Sequence, residues 1–139
     1  MKAALVLEKN GAACRETARL LSGLGYVAAP VHTADEAINV ASAIRFDVIV
    51  TCTATRGADR RSLIGELKRS APYAAVVLLA ESDEDYAHAQ DARHSGVTAV
   101  IKRPASAEIL RRIVEFGIDG YGLQPVAIAP AKERRRRLN

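Results

Sequence analysis

The sequence predicts an α/β fold: a five-stranded parallel sheet with helices on both faces, flavodoxin-like, followed by an extended basic tail. Three observations carry that expectation. Short apolar runs alternate with longer amphipathic segments five times before residue 117. Several runs are apolar at consecutive positions (Val48-Ile49-Val50 and Val76-Val77-Leu78-Leu79), as strands covered on both faces must be. Helix-capping and helix-stopping residues fall at the joints between segments. Strand–helix units in this rhythm give parallel strands joined by right-handed crossovers.

The first strand is predicted over 3–7 and is cut at Glu8. Residues 11–24 read as a helix whose apolar stripe includes Leu20, Leu21 and Leu24. Gly23 and Gly25 end it before a strand over 26–31. Thr33 precedes Asp35-Glu36, so it reads as the N-cap of a helix over 34–44 with acids in its first turn. A strand over 46–51 and a helix over 59–70 follow, then a strand over 74–80. Ser82 before Asp83-Glu84-Asp85 repeats the capping device for a helix over 83–95, and Gly96 stops it. The last unit is a strand over 97–101 and a helix over 105–116, with Ile109, Leu110, Ile113, Val114 and Phe116 on one face.

Residues 1–116 therefore form one domain, and 117–139 form a linker and tail. With 139 residues, 49% hydrophobic and 26% charged, the chain has the composition of a globular protein and not of a disordered one. No stretch approaches the eighteen or so apolar residues of a membrane span. The apolar run before Glu8 is too short for a signal-peptide core, so the expected location is the cytoplasm. Cys14 and Cys52 are too few for a disulfide framework and are expected as free thiols. The net charge is +4, but residues 117–139 hold five basic against two acidic residues, leaving the folded body only +1. No specific nucleic-acid footprint follows.

In parallel sheets chemistry gathers at the carboxyl ends of the strands. Here those ends are Glu8-Lys9-Asn10, Cys52-Thr53, Ala80-Glu81 and Lys102-Arg103-Pro104. Together with Phe46-Asp47-Val48-Ile49-Val50, Gly57-Ala58-Asp59 and Gly96, they make the chain resemble the receiver domain of bacterial two-component response regulators over roughly residues 3–116. The resemblance implies a module that takes a phosphoryl group onto an aspartate beside a bound Mg²⁺. Its apparatus is altered at every position. The acidic pair aligns with Glu8 and Lys9, and the phosphoacceptor with Cys52. The switch hydroxyl aligns with Ala80 or Glu81, the aromatic partner with Val100, and the lysine with Arg103 or Lys102. Asp47 starts its strand, far from the pocket, and Asp59 lies beyond the loop. The resemblance thus implies a pseudo-receiver with no metal, no cofactor and no enzymatic activity. A hard cation would meet an ammonium and a thiol.

The remaining candidates divide between structural and functional roles. Cys52 fills a vacated acidic pocket as a small apolar side chain; the alternative is a sensing thiol activated by Lys9 with Lys102 or Arg103. Lys9 is expected to replace the metal by bridging Glu8 or a backbone carbonyl. His32, His88 and His94 have no metal-ligand spacing. Tyr73, Tyr86 and Tyr121 read as single surface residues. The face of the helix over 83–95, the strand over 97–101 and the helix over 105–116 is where receivers dimerise. Asp91, Arg93, Lys102, Arg111, Arg112 and Glu115 fall there, as a salt-bridged homodimer contact or as an ordinary solvated surface.

The tail carries Gly117, Gly120, Gly122, Pro125 and Pro130, so 117–130 is expected as an extended linker and not a sixth unit. Glu133-Arg134-Arg135-Arg136-Arg137 then resembles the opening of a PilZ domain, the bacterial receptor for cyclic di-GMP. That resemblance implies that these arginines clamp phosphates and guanines with their planar forks; the alternative is a plain basic end. The functional expectation is a non-phosphorylatable interaction or dimerisation module in bacterial signalling, with a link to cyclic di-GMP through the tail. A ligand- or redox-sensing pocket around Cys52, Lys9 and Arg103 is the second reading.

Overall fold

The computed structural model of the chain describes residues 2–52, 60–84, 86, 97–103, 107–116 and 126–128. Its elements are β1 (Lys2–Leu7), α1 (Gly11–Gly23), β2 (Tyr26–Val31), α2 (Ala34–Ala43), β3 (Val48–Cys52), α3 (Arg60–Ser70), β4 (Ala75–Ala80), β5 (Ala99–Lys102), α4 (Ala107–Phe116) and β6 (Val126–Ile128). Every strand pair is parallel and the spatial order is β2-β1-β3-β4-β5-β6. The five predicted strands are all present. Of the helix expected over 83–95, Asp83, Glu84 and Tyr86 are helical and the rest lies outside the described residues.

The tail departs from expectation in one respect. Val126–Ile128 is extended, as the Gly- and Pro-rich composition implied, but it pairs with β5 in register Ala99 to Val126 through Ile101 to Ile128. A strand, a helix and a neighbouring parallel strand make one further crossover unit, so β5, α4 and β6 continue the rhythm of the preceding units.

Side-chain alternation along the strands divides the core in two. Val48, Val50 and Cys52 of β3 pack with Cys14 and Leu21 of α1 and Leu110 of α4 on one face. Ile49 packs with Ala37 and Ala41 of α2 and Leu63 and Leu67 of α3 on the other. Every residue of β3 is buried, which is why its sequence shows no polar alternation.

The joints around α1 and α2 are built as the sequence indicated, with additions. Thr33 Oγ1 accepts from the Glu36 amide at 3.2 Å, and Glu36 Oε1 accepts from the His32 amide at 3.0 Å, a reciprocal cap shifted by one residue. Asn10, not anticipated as a cap, accepts from the Ala13 amide at 3.0 Å and opens α1. Gly25 has φ +94°, the left-handed conformation that closes α1 and turns the chain into β2.

Candidate functional site at the carboxyl ends of the strands

The strand order reverses direction at β1, with β2 on one side and β3 on the other, so a crevice opens above β1, β3, β4 and β5. Glu8 leaves β1 into this crevice and is 1% exposed. Its carboxylate is fully occupied on both oxygens. Thr17 Oγ1 of α1 donates to Oε2 at 3.0 Å, and the Arg103 guanidinium, just past β5, pairs with Oε1. Arg103 Nε lies 2.9 Å from Glu81 Oε1, past the end of β4. One guanidinium is therefore ion-paired with two carboxylates that follow different strands, although its Nε makes no hydrogen bond. Burial lowers the Arg103 pKa from its ordinary value, yet an arginine stays protonated near neutral pH. Below the carboxylate, His32 Nδ1 contacts the Glu8 backbone carbonyl at 3.0 Å, and the Glu8 amide donates to the Val31 carbonyl at 3.1 Å.

Cys52 ends β3 beside this network and is 5% exposed. Its Sγ and one carboxylate oxygen each from Glu8 and Glu81 lie within 4.8 Å of one another. Geometrically these three could hold a metal ion. Chemically the set does not fit the Mg²⁺ of a receiver domain, because one donor is a thiol and both carboxylates already hold a guanidinium. Cys14 lies in the same core cluster as Cys52, on α1, and burial chiefly pushes its thiol pKa up.

The structure thus brings Glu8, Cys52, Glu81 and Arg103 together. Ala80 is fully buried at the end of β4, and its carbonyl accepts from the Arg103 amide at 2.9 Å, fixing where that side chain starts. Lys102 turns away and pairs with Asp83. Lys9 is corrected: it is exposed, makes no ion pair among the described residues, and does not bridge Glu8. The bridging cation is Arg103, from the far end of the domain. Thr17 was missed, although a hydroxyl on the buried stripe Cys14, Thr17 and Leu21 of α1 was its sequence signal. Asp47 sits at the other end of the sheet, as expected, where its Oδ2 accepts from the Ala3 amide at 2.8 Å.

Arg111 and Arg112 are exposed on α4, and Arg112 pairs with Glu108 at 2.9 Å, one turn away. Asp91, Arg93, the Glu115 side chain, Gly57-Ala58-Asp59, Pro104 and Arg134 to Arg137 lie outside the described residues. No helix among the described residues is long and apolar enough to cross a membrane.

No protein-family model matches the chain, and no curated protein sequence matches it. Solved structures do. A response-regulator receiver domain from Clostridium thermocellum superposes with a TM-score of 0.75 at 19% identity, covering 88% of this chain and 98% of the other. A Burkholderia pseudomallei response regulator, solved with a phosphorylated aspartic acid and a calcium ion, gives 0.70 at 24% identity, over 99% and 84%. The receiver domain of a Pseudomonas aeruginosa sensor histidine kinase, with a magnesium ion coordinated in its active-site cleft, gives 0.72 at 19% identity, over 85% and 98%. The chain has the fold of these receiver domains, with an arginine joined to the carboxylates of its crevice.

Proposed function

We propose that the chain is a phosphorylation-independent receiver-fold module that acts in signal transduction through contact with a protein partner or a second copy. The observation that supports this reading is the Arg103 bridge between Glu8 and Glu81. A phosphoacceptor site needs carboxylates free to hold a divalent cation against the incoming phosphoryl group. Here the buried carboxylate has a permanent organic counter-ion, and the residue at the acceptor position is a thiol. What supports a link to cyclic di-GMP is the resemblance of the arginine run to a PilZ lead-in, and what supports the α4 and β5 side as a contact face is its mixed charge. Nothing specific to the crevice favours a sensing role for Cys52, which is buried in the core.

The test is intact-mass measurement after incubation with acetyl phosphate and Mg²⁺. The native chain is expected to keep its mass. A variant carrying Cys52→Asp and Arg103→Lys is expected to gain one phosphoryl adduct, since it places a carboxylate at the end of β3 and shortens the bridging cation. An adduct on the native chain would overturn the proposal.

A further inference from the structure

The other end of the sheet holds a second feature that the crevice does not explain. The segment joining α2 to β3 and the segment joining α3 to β4 enclose a cavity of about 300 Å³, whose lining includes Ser42, Ile44, Arg45, Phe46, Ser70 and Tyr73. That volume lies at the small end of the range for small-molecule sites. Its rim is mixed: Ser42 and Arg45 are exposed there beside large apolar side chains. Ile44 is 52% exposed and Tyr73 83%, and with Val27 they are the exposed large hydrophobic side chains among the described residues. Two of those three flanking one cavity is the pattern of a recognition site and not of scattered surface residues.

The charged groups lining the cavity are of one sign. Arg45 contributes the cation, and no carboxylate side chain lines the walls. The Arg45 guanidinium lies over the Tyr73 ring, with Cζ 5.5 Å from the ring centroid. A guanidinium carries a planar fork of N–H donors, and that fork fits the two oxygens of a carboxylate or sulfonate. The Ser42 and Ser70 hydroxyls, 3.4 Å apart, add small hydrogen-bonding groups where α2 meets α3. The site is also preformed. Lys68 Nζ donates to the Pro72 carbonyl at 3.3 Å and the Ala74 carbonyl at 2.9 Å, bracing the turn that carries Tyr73. Bracing of this kind lowers the ordering cost of binding.

We propose that this cavity binds a small organic acid with an aromatic body, the ring entering between Phe46 and Tyr73 and the acid group pairing with Arg45. The probe is 1-naphthoate, followed by amide chemical shifts of the full chain, with neutral 1-naphthamide as its uncharged counterpart. Saturable shifts are expected at Ser42, Ile44, Arg45, Ser70 and Tyr73, with naphthamide binding at least tenfold more weakly. Arg45→Gln is expected to bring naphthoate down to the naphthamide level. Ser42→Trp, which fills the cavity from an exposed position, is expected to remove both. The same spectra report whether each variant is folded. Shifts scattered away from these residues, or naphthoate affinity unchanged in folded Arg45→Gln, would overturn the proposal. Neither result bears on phosphorylation, so this inference and the role of the crevice stand or fall separately.

Discussion

At the scale of single residues, Glu8 is nearly inaccessible to solvent and its carboxylate is paired with Arg103 and accepts from Thr17. Removing one member of a buried ion pair leaves an uncompensated charge, which typically costs about 3–5 kcal/mol, whereas replacing both members with apolar residues is often near neutral. Arg103→Met is therefore expected to lower unfolding stability by an amount in that range. Glu8→Leu combined with Arg103→Met is expected to recover most of it, as read by urea denaturation. Equal losses in the single and double variants would show that the pair contributes nothing beyond packing. Both members of this pair were legible in the sequence as residues of one pocket, but their pairing was not, because Lys9 was expected as the bridging cation. Lys9 is adjacent to Glu8, yet it lies in the bend that follows β1 and is exposed while Glu8 is buried. Arg103 is ninety-five positions away, and only the closing of the sheet brings it to Glu8.

At the scale of elements, local chemistry explains why the sequence reading held. Thr33 was recognisable as a cap because a hydroxyl before two acids satisfies the first free amides of a helix, wherever that helix packs. Thr33→Ala is expected to reduce stability by about 1 kcal/mol in the same denaturation experiment, and Thr33→Ser to be nearly neutral. A loss as large for the serine variant would place the effect in side-chain packing and not in the hydrogen bond. Element ends were less legible. The third strand was expected to stop at Thr51, but β3 includes Cys52, whose pairing with Leu79 of β4 extends the ladder by one residue. Asn10 escaped notice because it follows two charged residues and has no acid in the turn it caps. The pairing of β6 with β5 escaped for a different reason: a strand of three residues carries too little pattern to distinguish a paired strand from an unpaired one.

At the scale of the whole molecule, β2 and β6 are the outer strands of the sheet. β2 carries an exposed Val27 and also Pro30, which has no amide hydrogen to offer. A proline on an edge strand blunts it against pairing with another molecule. Pro30→Val is expected to increase self-association, seen as a concentration-dependent rise in sedimentation coefficient, while the native chain changes less over the same range. An unchanged coefficient would mean that β2 is shielded by something other than its proline. The same view places the two proposed sites at opposite ends of the strands, one around Arg103 and one around Arg45, separated by the length of a fully buried β3. A rigid spacer of that kind lets each end be altered without disturbing the other, which is what the separate tests above rely on.

The attachment of Arg103 to the backbone has one more consequence. A dissolved ion reaches a pocket according to its abundance in the surroundings, and chelators or dilution remove it. A side chain cannot be diluted away from its own fold. The cationic occupancy of this crevice is thus set at synthesis and holds at any ionic composition that leaves the chain folded. Under the function proposed above, variation in the domain's output enters through how much of it is made or what it meets.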